Sequence, residues 1–211
     1  ELGIVAQACG AATAGAPFLT SSFGTARALL AHGSDALKSM WLGRLASGEA
    51  IGTLALGEGQ WPVPPQPKLS FAGGRLNGTK PAVSAGLHAD IAVVLASEAG
   101  QPVLVAVALQ GVERTPLASF DNSRGTAALN FADTPAEVLL NGPAALDAAR
   151  TLLALQAVVT AHEQTGGAEA LMFRARDYAN TRRAFGQLIG GFQSVKLGLQ
   201  PVAEHAPVEG A

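Results

Sequence analysis

Tyr178-Ala-Asn-Thr-Arg182-Arg-Ala-Phe185-Gly186-Gln-Leu-Ile-Gly-Gly-Phe192-Gln193 joins a helical pattern to a run of turn-forming glycines. Upstream, Leu171, Ala175, Tyr178 and Arg182 recur at 3.6-residue spacing. That spacing predicts a helix over residues 168–184 with one continuous stripe. Arg182 closes the stripe and is therefore expected to lie against packed surface. Downstream, Gly186, Gly190 and Gly191 turn the chain into a short segment at 192–197. Further back a helical zone opens near residue 143, and no residue between Arg150 and Glu163 carries a formal charge when His162 is neutral. A helix apolar nearly all round is expected to be buried on every side. Gly166-Gly167 is expected to break it.

Ahead of that zone the period changes. Residues 51–56, 68–71, 75–77, 91–97, 103–109 and 126–131 are short β-like runs. Gly73-Gly74, Asn77-Gly78, Gly100-Gln101-Pro102 and Asp121-Asn122 punctuate them as turns. Many short strands with no helical period between them predict an antiparallel barrel or sandwich over residues 50–141. Segment 59–67, with four prolines, cannot be a central strand. Residues 1–49 are helical. Ser34 is a good N-cap, Asp35 sits in the first turn, and Leu37, Trp41 and Leu45 form an apolar stripe that ends at Gly48. The expected fold class is α+β: a helical N-terminal part (1–49), the β domain (50–141) and a helical-bundle part (142–211). The tail from Pro201 reads as disordered.

Composition narrows the function classes. The 211 residues are 48% hydrophobic and 14% charged, too apolar for a chain that cannot bury a core. So low a charge fraction points to a surface covered by other subunits. A net charge of −2 leaves no basic stripe for nucleic acid. Cys9 is the single cysteine, so no internal disulfide or thiolate cluster can form, and a reducing cytoplasmic location fits. No run of 18 or more uncharged apolar residues reads as a membrane span, and the nearest, 151–161, is too short. His32 and His88 lie in turns with no partner at metal-ligand spacing, so no metal is expected. No nucleophile elbow, P-loop or dinucleotide-type glycine pattern occurs.

The order helix, β domain, helix resembles that of the acyl-CoA dehydrogenases, and the stretch 178–193 resembles their Y-x-x-x-R-x-x-F-G-x-x-I-x-x-F-Q signature. Gly74-Arg-Leu-Asn-Gly78-Thr-Lys80, with Gly86 and Ala89-Asp90, is similar to the family's β-domain pattern. Leu45-Ala-Ser-Gly48-Glu49 is similar to the segment before it, and Glu163-Gln-Thr-Gly166-Gly167 and Asp121-Asn-Ser-Arg124 resemble an actinobacterial branch. The resemblance implies an FAD-dependent oxidoreductase that desaturates an acyl-CoA thioester, of fatty or steroid side-chain type, and passes electrons to an electron-transfer flavoprotein. It implies dimers or tetramers, homo- or hetero-oligomeric. It assigns Arg182 to the flavin diphosphate of a neighbouring subunit, with Phe185 and Gln193 packing on and hydrogen-bonding to that cofactor. Ser84 falls at a position beside the flavin ring, and Gly57 falls where a threonine meets it. The aromatic of the first motif is replaced by Ala82, and the substrate-side loop reads Gly57-Glu58-Gly59 before entering prolines.

Desaturation needs a carboxylate of raised pKa to take the proton alpha to the thioester. Glu163, ending the uncharged run, is the candidate base. The other reading is a structural or interface carboxylate paired with His162 or Arg174. In another branch the base would align near Gln156, which cannot ionise. Three readings follow: an active dehydrogenase subunit, a degenerate partner lending Arg182, Phe185 and Gln193 to another chain's flavin, or a structural module with no flavin.

Overall fold

A computed structural model describes residues 1–120 and 124–203. The Asp121-Asn122 turn, most of the Asp121–Arg124 element and the tail beyond 203 lie outside the described residues. The chain forms two compact units, Gly15–Val158 and Glu1–Ala14 together with the chain from Val159 onward.

In the larger unit a short helix α2 (Phe18–Thr20) runs into a π-helical turn, Ser21–Ala26, then α3 (Arg27–His32) and α4 (Asp35–Ser47). Helix α4 begins and ends as its sequence dictates. The Ser34 hydroxyl accepts the Leu37 N–H at 3.2 Å, and Gly48 takes the left-handed conformation (φ 77°) that stops the helix. Leu37, Trp41 and Leu45 are all buried.

Eight strands follow: β1 (Gly52–Ala55), β2 (Ser70–Ala72), β3 (Arg75–Val83), β4 (Ile91–Glu98), β5 (Gln101–Ala108), β6 (Glu113–Pro116), β7 (Ala127–Pro135) and β8 (Glu137–Asn141). They make one sheet in the order β6-β7-β3-β2-β4-β5-β8, with β1 also on β4. This corrects the expected antiparallel barrel or sandwich: the sheet is open at β6 and β8, and it is mixed. β1 runs parallel to β4 (Gly52 opposite Ile91), and β2 meets β4 in parallel at Ser70–Ser97. The remaining pairs of the sheet are antiparallel.

Strand β4 is packed on both faces. Ile91, Val93 and Leu95 face a layer made by Leu29, Leu37, Trp41, Leu45, Ala145, Ala149 and Leu152. Ala92, Val94 and Ala96 face a second core with Leu76, Val83, Leu129 and Phe131, because the sheet curls its other face onto itself. A strand buried on both faces reads as one apolar run. At roughly 25 cal/mol per Å² of apolar area, this two-sided burial is the main stabilising term of the unit.

The smaller unit corrects two helical expectations. Helix α5 is continuous from Pro143 to Ala179, so Gly166-Gly167 does not break it. The reason is helix crossing. A Cβ on Gly166 would stand 1.9 Å from the Gln7 carbonyl oxygen of α1 (Leu2–Ala11), and one on Gly10 would stand 1.8 Å from the Glu163 carbonyl oxygen. The glycines let two backbones touch, and that contact outweighs their poor helix propensity. The uncharged stretch of α5 is also not buried all round: Leu152 and Val159 are buried, whereas Val158 is exposed. By length and composition α5 could cross a membrane. Core helices pass the same test, and Ala145, Ala149 and Leu152 of α5 are seated in the sheet's core.

Candidate functional site

The sequence-derived site residues fall in three places. Ser84 follows β3 at the rim of a cavity of about 270 Å³, which is also lined by Thr20, Ile51, His88 and Arg124. A chain of buried hydroxyls fixes that rim. Thr25 in the π-helical turn lies 2.9 Å from the Thr53 carbonyl and 3.1 Å from that of Thr20. The Thr53 hydroxyl donates to the Ser84 carbonyl at 2.6 Å, and the Ser21 hydroxyl accepts the Gly52 N–H. Gly52 is needed there, since a Cβ would stand 2.5 Å from that of Thr25. Polar side chains at zero exposure carry such a network only when each is satisfied, and these are. Sequence reading missed them because isolated threonines carry no spacing signal.

Gly57 lies elsewhere, at the root of the proline-rich strap 59–67. A Cβ there would be 3.3 Å from the Trp61 carbonyl, so the strap crowds this position. Beneath the strap is a cavity of about 630 Å³, lined among others by Glu58, Trp61, Lys68, Thr79 and Pro81. Behind the lining residue Glu58, the fully buried Lys80 ammonium donates to the Glu58 carboxylate at 2.7 Å and to the Leu56 carbonyl at 3.3 Å. Burial pushes the Lys80 amine below its usual value, against the raising pull of its hydrogen bond and charge pairing with Glu58. For Glu58 burial pulls upward, but the Lys80 hydrogen bond, the Lys68 N–H, the Lys80 charge and the Leu69 N–H together hold the carboxyl below 4.5.

Arg182, Phe185 and Gln193 belong to the smaller unit. The expected helix to residue 184 ends instead at Ala179, and the signature forms a hairpin of β9 (Arg183–Ala184) and β10 (Gln187–Leu188). Phe185 (φ 51°) and Gly186 (φ 81°) are its two turn residues, both left-handed as a type I′ turn requires. The hairpin leads into a 3-10 turn, Ile189–Gly191, and helix α6 (Gln193–Ala203). Arg182 is therefore off the helical stripe, and it is exposed, as are Leu171 and Tyr178, so among the described residues no packed surface surrounds it as expected. Phe185 is 97% exposed and meets Phe192 edge-on at 6.3 Å. Glu163 is half-buried at the α1–α5 crossing rather than enclosed. Gln156, the alternative position, donates to the Leu19 carbonyl at 3.0 Å.

These residues suit part of a flavin dinucleotide. An exposed guanidinium can grip a diphosphate through paired donors. Ser84 offers a hydroxyl at a cavity rim, while Ala82 supplies no aromatic wall and Gly57 no hydroxyl. Ser84 lines the smaller cavity, Gly57 sits at the root of the strap, and Arg182, Phe185 and Gln193 lie in a different unit from both.

The fold is that of the acyl-CoA dehydrogenases, and the chain is similar in sequence to a member of that family. It is 34% identical over 194 residues to the acyl-CoA dehydrogenase FadE27 of Mycobacterium tuberculosis, covering 90% of this chain and 51% of the relative. The chain thus spans about half the length of the curated relative it matches. No family model matches it. Among solved structures, the ChsE4-ChsE5 complex from Mycobacterium tuberculosis superposes with a TM-score of 0.83 at 28% identity, covering 97% of this chain and 56% of that one. The Tcur3481-Tcur3483 steroid acyl-CoA dehydrogenase, as a G363A variant, gives 0.77 at 25%, covering 96% and 56%. A glutaryl-CoA dehydrogenase from Mycobacterium smegmatis, solved with FADH2, shares the fold at 0.65 and 23%, covering 85% and 50%.

Proposed function

We propose that this chain is a subunit of an FAD-dependent acyl-CoA dehydrogenase that introduces an alpha,beta double bond into an acyl-CoA thioester. The observation that carries the reading is the 178–193 turn, which presents Arg182 and a left-handed, solvent-facing Phe185 on one hairpin. A large aromatic in that conformation costs about 1 kcal/mol or more, and the chain itself recovers little by packing it. A cofactor or a neighbouring protomer is the natural recipient. Bound FAD supplies the hydride acceptor. Arg182 would hold the diphosphate of a neighbouring subunit's FAD, with Phe185 and Gln193 beside it, and Ser84 would stand by the ring of this chain's own. The Glu163 carboxylate would take the alpha proton on an oxygen. An electron-transfer flavoprotein as electron acceptor, a fatty or steroid-type acyl group and a cytoplasmic location go with this reading.

A second reading has a specific observation behind it. Gly57 and Ala82 both lack the side chain that a complete flavin pocket would use, and the two solved structures described first carry paired chain names. In that reading the chain completes the FAD site of a different subunit and has no working site of its own. Visible absorption near the flavin bands separates the two. Purified alone with added FAD, a yellow protein supports the first. Colour that arises only on co-expression with a full-length homologue, and is lost in Arg182→Ala, supports the second. A colourless protein in both settings overturns both.

A further inference from the structure

The strongest unused charge in the molecule is Lys80, a lysine at zero exposure whose partner sits 22 positions earlier. Glu58 does more than neutralise it. Its Oε2 accepts the Lys68 N–H at 2.7 Å and its Oε1 the Leu69 N–H at 3.2 Å. The same residue exchanges backbone hydrogen bonds with Trp61 (3.0 and 3.1 Å), closing the strap's first turn. One carboxylate therefore joins the beginning of the strap, its end and strand β3. Between the joined ends lie four prolines, which have few conformations of their own to lose. Such a loop with pinned ends is an Ω-loop in form.

We infer that Glu58 and Lys80 form a clasp that holds strap 59–67 in one shape over β3 and keeps the cavity beneath it open before any ligand arrives. The inference does not depend on the flavin reading. The strap's apolar contacts are Val63, packed on the helix-side core, and the buried Pro64 and Pro67, while Trp61, Pro62, Pro65 and Gln66 are exposed. Apart from the clasp, the strap's far end is tied to β4 by the Ser97 N–H, which donates to the Leu69 carbonyl at 2.8 Å, and the clasp alone reaches from its start to its end through one side chain. Opening it would hydrate both charges while leaving β4 and β5 paired.

Hydrogen exchange followed by mass spectrometry tests this on the unmodified chain, Glu58→Gln and Lys80→Met. The expected result is that peptides covering 58–69 exchange at least tenfold faster in Glu58→Gln, with peptides from β4 and β5 as protected as before. Lys80→Met, which keeps the carboxylate and its two N–H partners, should give a smaller acceleration in the same peptides. Unchanged strap exchange in Glu58→Gln overturns the inference. So does loss of sheet protection together with the strap in either variant, because the pair would then belong to the global core.

Discussion

Lys80 and Glu58 place opposite demands on the solvent. The fold holds the Glu58 carboxyl below 4.5, so its ionised form is favoured in the folded chain. That contribution is complete above the unfolded value and is lost as pH falls through the lowered one. Urea denaturation of the parent and Glu58→Gln should therefore differ most at neutral pH and converge on acidification below about 4.5; a gap independent of pH would contradict the assignment. None of this was legible in the sequence. Gly-Thr-Lys80 stood out only by resemblance, because a lysine normally lies in water and nothing local names a partner 22 positions away. Ser34, by contrast, was fully legible, since capping is a matter between neighbours. Phe185 lies between these cases. The Phe-Gly pair was visible, but the left-handed turn it makes is set by the hairpin that closes around it.

Elements were legible where local period and tertiary burial agree. The β4 and β5 runs and helix α4 fall close to their expected limits. Strands β6 and β8 were missed, since edge strands need apolar residues on one face only and these carry Glu113, Arg114, Glu137 and Asn141. The glycine pair in α5 was misread for a different reason: local propensity says break, while the touching backbone of α1 requires the missing Cβ atoms. The consequence is a sharp contrast between neighbours. Gly166→Ala, which sets a Cβ 1.9 Å from backbone, should destabilise by roughly 1–3 kcal/mol in chemical denaturation. Gly167→Ala has 3.5 Å to the nearest atom and should be neutral or stabilising by up to about 1 kcal/mol, the usual helix preference of alanine over glycine. Equal effects at the two positions would dismiss the close crossing.

At the scale of the whole molecule, the family was legible before its geometry was. The 178–193 string carried the resemblance, yet the sheet it implied was misjudged as an antiparallel barrel or sandwich. Topology is non-local: β1 is followed by 35 intervening residues before β4 begins, and no turn signal links them. The site residues likewise divide between two units, which no spacing rule reveals. If the flavin is shared between protomers, colour and oligomeric state must move together. Arg182→Ala should release cofactor from the assembled protein without lowering the midpoint of the sheet's unfolding; a variant that unfolds early would make Arg182 a structural residue.

The parallel contact of β1 with β4 also sets an order of events during folding. β4 and β5 are joined by Ala99 (φ 49°) and Gly100 (φ 80°), a two-residue reversal that closes quickly because its ends start adjacent. β1 must wait until the intervening chain has found its place, since long closures are slow to nucleate. Mutational kinetics should report Val94 and Val105 as structured in the rate-limiting state and Leu54 as still loose there. The chain would thus build its centre from a local hairpin and admit its earliest strand last.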